Sequence, residues 1–468
     1  GSSKKSSLGG MIIQFASRRN YNSEPYRCVR KRPEVRMTTI FRRVKRAIVT
    51  PQTIPEPHRS NLINLYWDVV WYGVLNGSTL SFLVIFATRQ GASEMQVGLI
   101  NAMPAVINLL FAIPASAWLA SLPLRNGVFW SAVVYRLFYL LLVPLPSLLL
   151  PGAQIWVIIA ITLVMSIPGT ALSVGFNTLF AEAVPIEYRG RVTGIRNAAL
   201  ALMTTLTSLL CGYLLVRMQY PAGYQVVFAI GFVGAVLSTV FLARVRPVAR
   251  VPGPVEDRQS PAARKARSLA GRLRQTFRVD LLRGPFGFTM LLLFIFHLGQ
   301  YIAIPVFPLF TVNELRLSDQ VISIGTGLFN LTTFFASLRL ERSVRRLGNQ
   351  KVMAIGAMML GLYPMLFALS RGVPLFLVAS LVGGITWALV SGALFNYLLE
   401  RVPEDNRPSY LAWYTLVANA ALLLGSITGP LAASWVGLRW SMVAFALLRW
   451  AAAAAIWRWG GERKKQTV

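Results

Sequence analysis

The chain contains twelve apolar stretches, most of them about 20 to 28 residues long. An α-helix of about 20 residues crosses the hydrocarbon core of a bilayer, which is about 30 Å thick. Hydrophobic residues make up 55% of the sequence and charged residues only 14%, which is not typical of soluble proteins. The sequence therefore predicts an all-α integral membrane protein with twelve transmembrane helices, called spans 1 to 12 here. The spans are expected to begin near Ile63, Val97, Val128, Ile155, Val192, Gln225, Phe286, Val321, Val352, Leu375, Leu411 and Trp440.

An acidic motif, E-x-x-P-x-x-x-R, occurs once in each half of the chain. Its residues are Glu182, Pro185 and Arg189 in the first copy and Glu400, Pro403 and Arg407 in the second. Polar loops match as well, since Ser93 leads into span 2 as Ser318 leads into span 8. Chance similarity between apolar helices would not also align the loops. The sequence therefore predicts two homologous six-helix halves, repeated in parallel about an axis normal to the membrane.

Charge and hydropathy divide the chain into five predicted regions. These are a basic N-terminal arm at 1–60, a first six-helix half at 61–246, a basic linker at 247–283, a second six-helix half at 284–460 and a basic tail at 461–468. Within the arm, residues 1–10 are expected to be a tag or sequence upstream of a later start at Met11 or Met37.

The net charge of +30 is distributed unevenly between the loops. If both termini and the linker are cytoplasmic, about 40 of the 47 lysines and arginines lie inside. Five lie outside, namely Arg89, Arg217, Arg316, Arg371 and Arg439. This asymmetry predicts cytoplasmic termini and an attraction to anionic lipid. We expect a multi-pass protein of a prokaryotic inner or plasma membrane. No aromatic and basic module for reading nucleic acid is found.

Two basic segments also have apolar residues at helical spacing. They are Ile40 to Ile48 in the arm and Leu269 to Phe277 in the linker. Each predicts an interfacial helix, and a solvated, disordered linker is the alternative. The arm is also the candidate contact for a protein partner.

The chain is similar to the major facilitator superfamily of secondary transporters over about residues 60–460. Glu182 to Gly190 resembles that family's E-x-x-P-x-x-x-R-G signature after span 4, and the second copy follows span 10, where the family repeats it. Between spans 8 and 9 the spacing of the family's G-x-x-x-D-R-x-G-R-R loop falls on Ser337, Glu341, Arg342, Arg345 and Arg346. The resemblance implies alternating access around a central cavity lined by spans 1, 4, 7 and 10.

The sequence departs from the family pattern in its first half. Ser116 to Ala120, between spans 2 and 3, contain no acid and no basic pair. The arginine that marks many proton exchangers in span 4 and the glycine-rich motif of span 5 are also missing, so antiport does not follow from the motifs.

Charged residues at the cytoplasmic ends of the spans are candidates for a gate that closes by ion pairing. They are Glu182, Arg189, Arg191, Glu341, Arg342, Arg345, Glu400 and Arg407. The alternative is that Glu182 and Glu400 only anchor helix ends at the lipid headgroups.

A polar stripe on span 1 gives the leading cavity candidate, because ionisable side chains inside a membrane are costly and mark functional sites. Asp68 shares a helix face with Asn64, Tyr72 and Asn76, at spacings of four. Arg136 in span 3 lies at a similar depth. Three interpretations stay open for Asp68: a fixed structural pair with Arg136, a proton-linked or substrate-linked carboxyl group, or a side chain tilted toward water.

Other spans add polar side chains to this expected cavity. They are Ser166, Thr170, Ser173 and Asn177 in span 4, His297 and Gln300 in span 7, and Trp387, Ser391 and Asn396 in span 10. Packing between helices is the alternative for the span 4 stripe and for His297. Arg449 in span 12 is expected to extend toward the cytoplasmic interface.

Enzymatic activity finds no support, because the sequence has no nucleophile elbow, phosphate loop or paired carboxylates. Cys28 and Cys211 are not expected to pair, and no metal or cofactor is predicted. We expect a monomer or weak oligomer that moves a small organic solute, with proton coupling left open. The alternative is a membrane scaffold or assembly factor that kept the fold and lost transport.

Overall fold

Helices dominate the computed structural model, which describes residues 58–247, 279–402 and 407–460. Within those ranges the chain forms twelve long helical segments and no strand. They are His58–Arg89, Glu94–Ala120, Leu124–Leu142, Pro151–Ala183, Ile186–Arg217, Ala222–Ala243, Pro285–Glu314, Asp319–Leu347, Asn349–Leu369, Val373–Leu399, Arg407–Val436 and Leu438–Trp459.

The twelve segments confirm the predicted fold class, and each begins slightly before its predicted start. The largest difference is in span 5, which begins at Ile186 rather than Val192. Eleven of the described helices are long and apolar enough to cross a membrane. Leu124–Leu142 is not among those eleven, because Arg125 and Arg136 lower its mean hydropathy.

The repeat is visible in how spans 2 and 8 begin. The Ser93 hydroxyl accepts a hydrogen bond from the Gln96 amide, and the Ser318 hydroxyl accepts one from the Val321 amide. Each serine thereby satisfies one of the amides that a helix start leaves without an acceptor. An acidic residue follows each serine, where it interacts favourably with the helix dipole. The matched polar loops therefore have a common physical role.

The two ends of the bundle pack differently. We call the end with His58 and Gly460 the terminal end, and the other the opposite end. At the opposite end one cluster of buried apolar residues includes both halves, with Phe86 from span 1 and Phe310 from span 7. Toward the terminal end there are two clusters, one around Leu65 and one around Phe286. Among the described residues, the apolar core shared by the halves is thus concentrated at the opposite end.

Contacts along the sides of the bundle complete the interface between the halves. Span 2 packs against span 11, and span 5 packs against span 8. Spans 1 and 7 are both interrupted, span 1 by a π-helical turn at Asn76–Leu80 and span 7 by a turn at 302–305 and a π-helical turn at Phe310–Glu314. Gly77 lies in the first interruption, where a Cβ atom would collide with the Thr204 carbonyl oxygen of span 5.

The expectation for Arg449 was wrong, because this side chain points into the bundle. It is 5% exposed and donates to the carbonyl oxygens of Gly299, Gln300 and Leu360 at 2.9, 3.0 and 3.0 Å. The first two carbonyls lie at the break in span 7. The third lies four residues before Pro364, which has no amide hydrogen to donate. Arg449 therefore satisfies carbonyls that the helix interruptions leave without a donor.

The predicted interfacial helices at Ile40 to Ile48 and Leu269 to Phe277 lie outside the described residues. The five region boundaries stay predictions.

Replacement of Arg449 by methionine should destabilise the protein strongly. Three buried carbonyl groups would lose their donor, at about 1 kcal/mol or more each, so we expect a loss of about 3 kcal/mol or more. Thermal unfolding in detergent measures it. Arg458→Met, at an exposed position of the same helix, is the control, and equal melting temperatures for the two variants would contradict the capping role.

Candidate functional site

A cavity of about 370 Å³ lies inside the first six-helix half. Every one of spans 1 to 6 contributes to its wall. The lining residues are Asp68, Tyr72, Pro104, Asn108, Tyr135, Arg136, Met165, Ser166, Gly169, Thr170, Leu172, Ser173, Phe176, Asn177, Arg196 and Leu242. Its size and its mixture of aromatic and polar side chains are typical of small-molecule sites.

One carboxylate and two guanidinium groups form a charged cluster in the wall of this cavity. The Oδ2 atom of Asp68 lies 3.3 Å from Nη2 of Arg196, and its Oδ1 atom lies 3.7 Å from Nη2 of Arg136. All three side chains are largely buried, with exposed fractions of 5% for Asp68, 7% for Arg136 and 14% for Arg196. The opposite charges lower the free-energy cost of burying these groups, because a buried charge with neither an ion pair nor hydrogen bonds is costly.

Hydroxyl and carbonyl groups hold the cluster in place. The Ser238 hydroxyl donates to Oδ1 of Asp68 at 2.6 Å. Arg136 donates from Nη1 to the Thr239 hydroxyl at 2.8 Å, and Arg196 donates from Nη1 to the Leu65 carbonyl at 2.8 Å. The cluster thereby connects spans 1, 3, 5 and 6.

The guanidinium groups have hydrogen-bonding capacity to spare. Both distances to Asp68 exceed the 2.7 to 2.9 Å typical of a tight guanidinium–carboxylate hydrogen bond. The Nε atom of Arg136 is buried and has no hydrogen-bond partner in the described part of the protein. Since the described lining contains no further charged residue, it carries one excess positive charge.

Aromatic rings form much of the remaining wall. The Arg196 guanidinium lies over the Phe176 ring, 4.9 Å from its centroid. Across the cavity, the Tyr139 hydroxyl donates to the Tyr135 hydroxyl at 2.8 Å. Gly169 leaves room for the Tyr135 ring, because a Cβ atom at this position would lie 2.9 Å from the Cε2 atom of the ring.

A polar contact extends from the cavity to the second half. The Thr170 hydroxyl donates to the Asn108 side-chain oxygen at 2.6 Å. Asn108 in turn donates to the side-chain oxygen of Asn419, in span 11, at 3.3 Å. A chain of two hydrogen bonds therefore connects the cavity lining with the interface between the halves.

The structure brings half of the predicted cavity residues together. Those that line the cavity are Asp68, Tyr72, Arg136, Ser166, Thr170, Ser173 and Asn177. Asn64 and Asn76 do not line it, and the Asn76 amide donates to Thr204 in span 5 at 3.2 Å. Asn76 lies eight residues after Asp68, which places it about 80° around an α-helix from that side chain, so the span 1 stripe does not stay on one face.

The predicted residues of spans 7 and 10 lie outside this cavity. His297 is 3% exposed and its Nε2 atom lies 3.2 Å from the Tyr414 hydroxyl of span 11, while its Nδ1 atom has no partner among the described residues. Gln300 is buried and Trp387 is half-buried. Ser391 and Asn396 are exposed.

At the terminal end, two of the gate candidates, Arg189 and Glu400, make contacts within their own halves. Arg189 donates to the carbonyls of Ala181 and Val184 at the end of span 4. Glu400 accepts a hydrogen bond of 2.6 Å from the Asn349 amide. Glu182 is half-buried, and Arg191 and Arg345 are exposed. The side chains of Glu341, Arg342 and Arg407 lie outside the described part.

Sequence reasoning missed Arg196 as a site residue. It lies ten residues after the start of span 5 at Ile186, which places it about 15 Å along the helix from that end. Its depth in the helix would have identified Arg196 as a buried cation, but it would not have shown that Arg196 contacts Asp68.

The sequence also did not predict the ionic contact that joins the halves at the opposite end. Arg89, at the end of span 1, forms an ion pair of 2.9 Å with Asp319, at the start of span 8. The Tyr224 hydroxyl of span 6 donates to the other Asp319 oxygen at 2.8 Å. A second pair at this end, Arg439 with Glu314 at 3.0 Å, lies within the second half.

Comparisons with known proteins agree with this architecture. A family model described as Major Facilitator Superfamily matches residues 70–296 and again residues 289–468. Multidrug resistance protein 1 of Bacillus subtilis (strain 168) is 29% identical over 138 residues, which are 30% of this chain and 34% of that protein. Chloramphenicol resistance protein CraA of Acinetobacter baumannii is 28% identical over 120 residues, which are 26% of this chain and 28% of that protein. The chain thus spans about a third of the length of the curated relatives it matches.

Solved structures resemble the whole fold. The D-xylose-proton symporter superposes with a TM-score of 0.65 at 16% identity, over 87% of this chain and 99% of that one. The nucleoside transporter NupG superposes with a TM-score of 0.60 at 14% identity, over 85% of this chain and 98% of that one. At such identities the likeness shows the fold alone.

Loss of the Arg89 and Asp319 pair should loosen the opposite end. A partly exposed pair contributes about 0.5 to 1 kcal/mol, so Arg89→Gln should raise the labelling rate of a cysteine at buried Ala87 about two- to fivefold. A water-soluble maleimide measures it, with Cys28 and Cys211 replaced by serine. Arg439→Gln, which breaks the pair within one half, is the control. Equal rates in the two variants would contradict a role in joining the halves.

Proposed function

The chain belongs to the major facilitator superfamily, and we propose that it moves a small organic solute across a membrane by alternating access, through the cavity of its first half. It is an integral, multi-pass membrane protein of a transporter family, not an enzyme. The observation that carries the proposal is a polar cavity with buried charges inside helices that cross the membrane. A scaffold would have no need to keep such charges in hydrocarbon, where they are costly.

The packing of the two ends supports one state of an alternating-access cycle. The halves share their apolar core and the Arg89 and Asp319 pair at the opposite end. Toward the terminal end the apolar core divides, and Ser173 of span 4 and Asn396 of span 10 are exposed. If the basic terminal end faces the cytoplasm, as the positive-inside rule predicts, this state is open to the cytoplasm. The bacterial origin of the relatives supports a prokaryotic plasma membrane. The excess of Lys and Arg near the termini and in the linker supports both termini on the cytoplasmic side.

The closed form of the terminal end would need contacts that the described state does not use. We propose that the gate candidates provide them: when the halves rock together, Glu400 would exchange Asn349 for an arginine of the other half, and Glu182 would pair with another. Arg189 is less suited to this exchange, because it already donates to two carbonyls at the end of span 4.

Asp68 is our candidate for proton coupling. Its carboxylate connects span 1 to Arg136 of span 3, Arg196 of span 5 and Ser238 of span 6. Protonation removes the negative charge that attracts both arginines, so it weakens these connections and leaves the guanidinium groups available to the solute. A proton and a solute would then influence each other's binding through the same cluster.

The names of the relatives bear on the kind of solute. The names multidrug resistance protein and chloramphenicol resistance protein support amphipathic organic compounds as solutes. The aromatic and polar lining of the cavity is compatible with such compounds.

Transport by purified protein in liposomes tests the proposal. With a pH gradient across the membrane, the wild-type protein should accumulate at least one member of a panel of labelled metabolites and amphipathic drugs. Absence of movement for the whole panel, by a protein that is folded and inserted, would favour a scaffold.

Asp68→Asn should separate coupling from binding. We expect at least a tenfold smaller effect of the pH gradient on transport, about 1.4 kcal/mol of lost coupling, because the amide of an asparagine side chain cannot take up a proton. Exchange without a gradient should persist. Glu94→Gln, which removes an acid of the same half outside the cavity, is the control. A pH-gradient response unchanged in Asp68→Asn would remove Asp68 from the coupling mechanism.

A further inference from the structure

We propose that the cavity recognises an oxyanion, and that the solute is an aromatic or otherwise amphipathic organic acid with one carboxylate group. The inference rests on the proposed function, because it names the chemical class of solute for the same cavity. It follows from the charges, from the unused hydrogen-bond donors and from the ring faces around them.

The charge of the cavity favours an anion. Its described lining holds Arg136 and Arg196 against the single carboxylate of Asp68. A neutral solute would leave the excess positive charge without a counter-ion, and a cationic solute would add to it. A monocarboxylate would bring the cluster to neutrality.

Unused donors show where the carboxylate would bind. Arg136 is buried, its Nε–H has no acceptor among the described residues, and its Nη2 atom is 3.7 Å from Asp68. Arg196 is 3.3 Å from the same carboxylate. A guanidinium group binds a carboxylate best through two parallel hydrogen bonds of about 2.8 Å. Neither arginine has such a geometry with Asp68. Each can therefore donate hydrogen bonds to a carboxylate of the solute, either in place of Asp68 or in addition to it.

The walls fit the remainder of an amphipathic acid. The Phe176 ring lies against the Arg196 guanidinium, and the Tyr135 ring fills the space left by Gly169. Aromatic faces next to a bound carboxylate would pack against an apolar or aromatic body. Asn108 and Thr170 add neutral polar contacts.

Matched ligands of equal shape and different charge test the assignment. The probes are naphthylacetate, naphthylacetamide and naphthylethylammonium, with the corresponding phenyl series. Binding is measured by calorimetry on the full-length protein in nanodiscs of neutral phosphatidylcholine, with empty nanodiscs subtracted. We expect at least one acid to bind about tenfold or more tightly than its amide and its amine, as a charge-assisted hydrogen bond implies.

Two variants with opposite expected effects keep the test independent of folding. Arg196→Gln should weaken acid binding about tenfold or more, and Arg196→Lys should recover part of it. Asp68→Asn should strengthen acid binding about threefold or more, because it removes the competing carboxylate. A misfolded protein cannot show this gain. Arg458→Gln, outside the cavity, is the control for a general change in charge.

Each outcome decides between defined alternatives. Tighter binding of amides or amines, unchanged acid affinity in Asp68→Asn, or no binding by any probe would overturn the oxyanion site. If the oxyanion site is overturned but neutral or cationic members of the series are transported in liposomes, the proposed transporter function is still supported. Acids that bind as predicted but are never moved across the membrane would keep the oxyanion site and overturn transport instead.

Discussion

The carboxylate of Asp68, held between two arginines inside the membrane, is the interaction on which the first half depends. Its neighbours come from three other spans, Arg136 from span 3, Arg196 from span 5 and Ser238 from span 6. Each charged group in the cluster would cost more free energy to bury without a partner of opposite charge. The cluster therefore fixes the relative positions of four helices, and any change in its charge acts on all of them at once. A group with these properties is suited to coupling one binding event to another.

The second half contains a buried charge that has a different role. Arg449 donates to three main-chain carbonyls, all exposed by interruptions in spans 7 and 9, and in the described residues it has no ion pair. The Arg449 guanidinium group thus donates to main-chain carbonyls at helix breaks and, in the described part of the protein, does not face a cavity. The two homologous halves have diverged: the first keeps a carboxylate and unused donors next to open space, whereas the second keeps an arginine whose five donors are largely committed. This difference is the physical reason for placing the solute in the first half.

The fold was predictable because each span is long and apolar, and because helix-start residues such as Ser93 and Ser318 recur with the repeat. Much of the cavity was predictable from depth alone, since Asp68 and Arg136 are charges in the middle of apolar stretches. Arg196 was missed because it follows closely on the basic loop after span 4, and no spacing relates it to a partner 128 residues away. Asn76 was predicted to share the face of Asp68, but each spacing of four residues shifts the side chain by about 40° around an α-helix, and two such steps separate these residues. The direction of the Arg449 side chain was predicted wrongly, because the sequence does not show that the breaks in spans 7 and 9 leave carbonyl groups without donors close to it.

Access to the cavity from each side of the membrane tests the central claim most directly. A single cysteine at Ser173, which lines the cavity and is exposed, would be introduced with Cys28 and Cys211 replaced by serine. A membrane-impermeant thiol reagent would then be applied to inside-out and to right-side-out vesicles. Alternating access predicts labelling from both sides, and the proposed orientation, with the terminal end in the cytoplasm, predicts faster labelling from the cytoplasmic side. Labelling from one side only, however long the exposure, would contradict an alternating-access transporter and favour a scaffold.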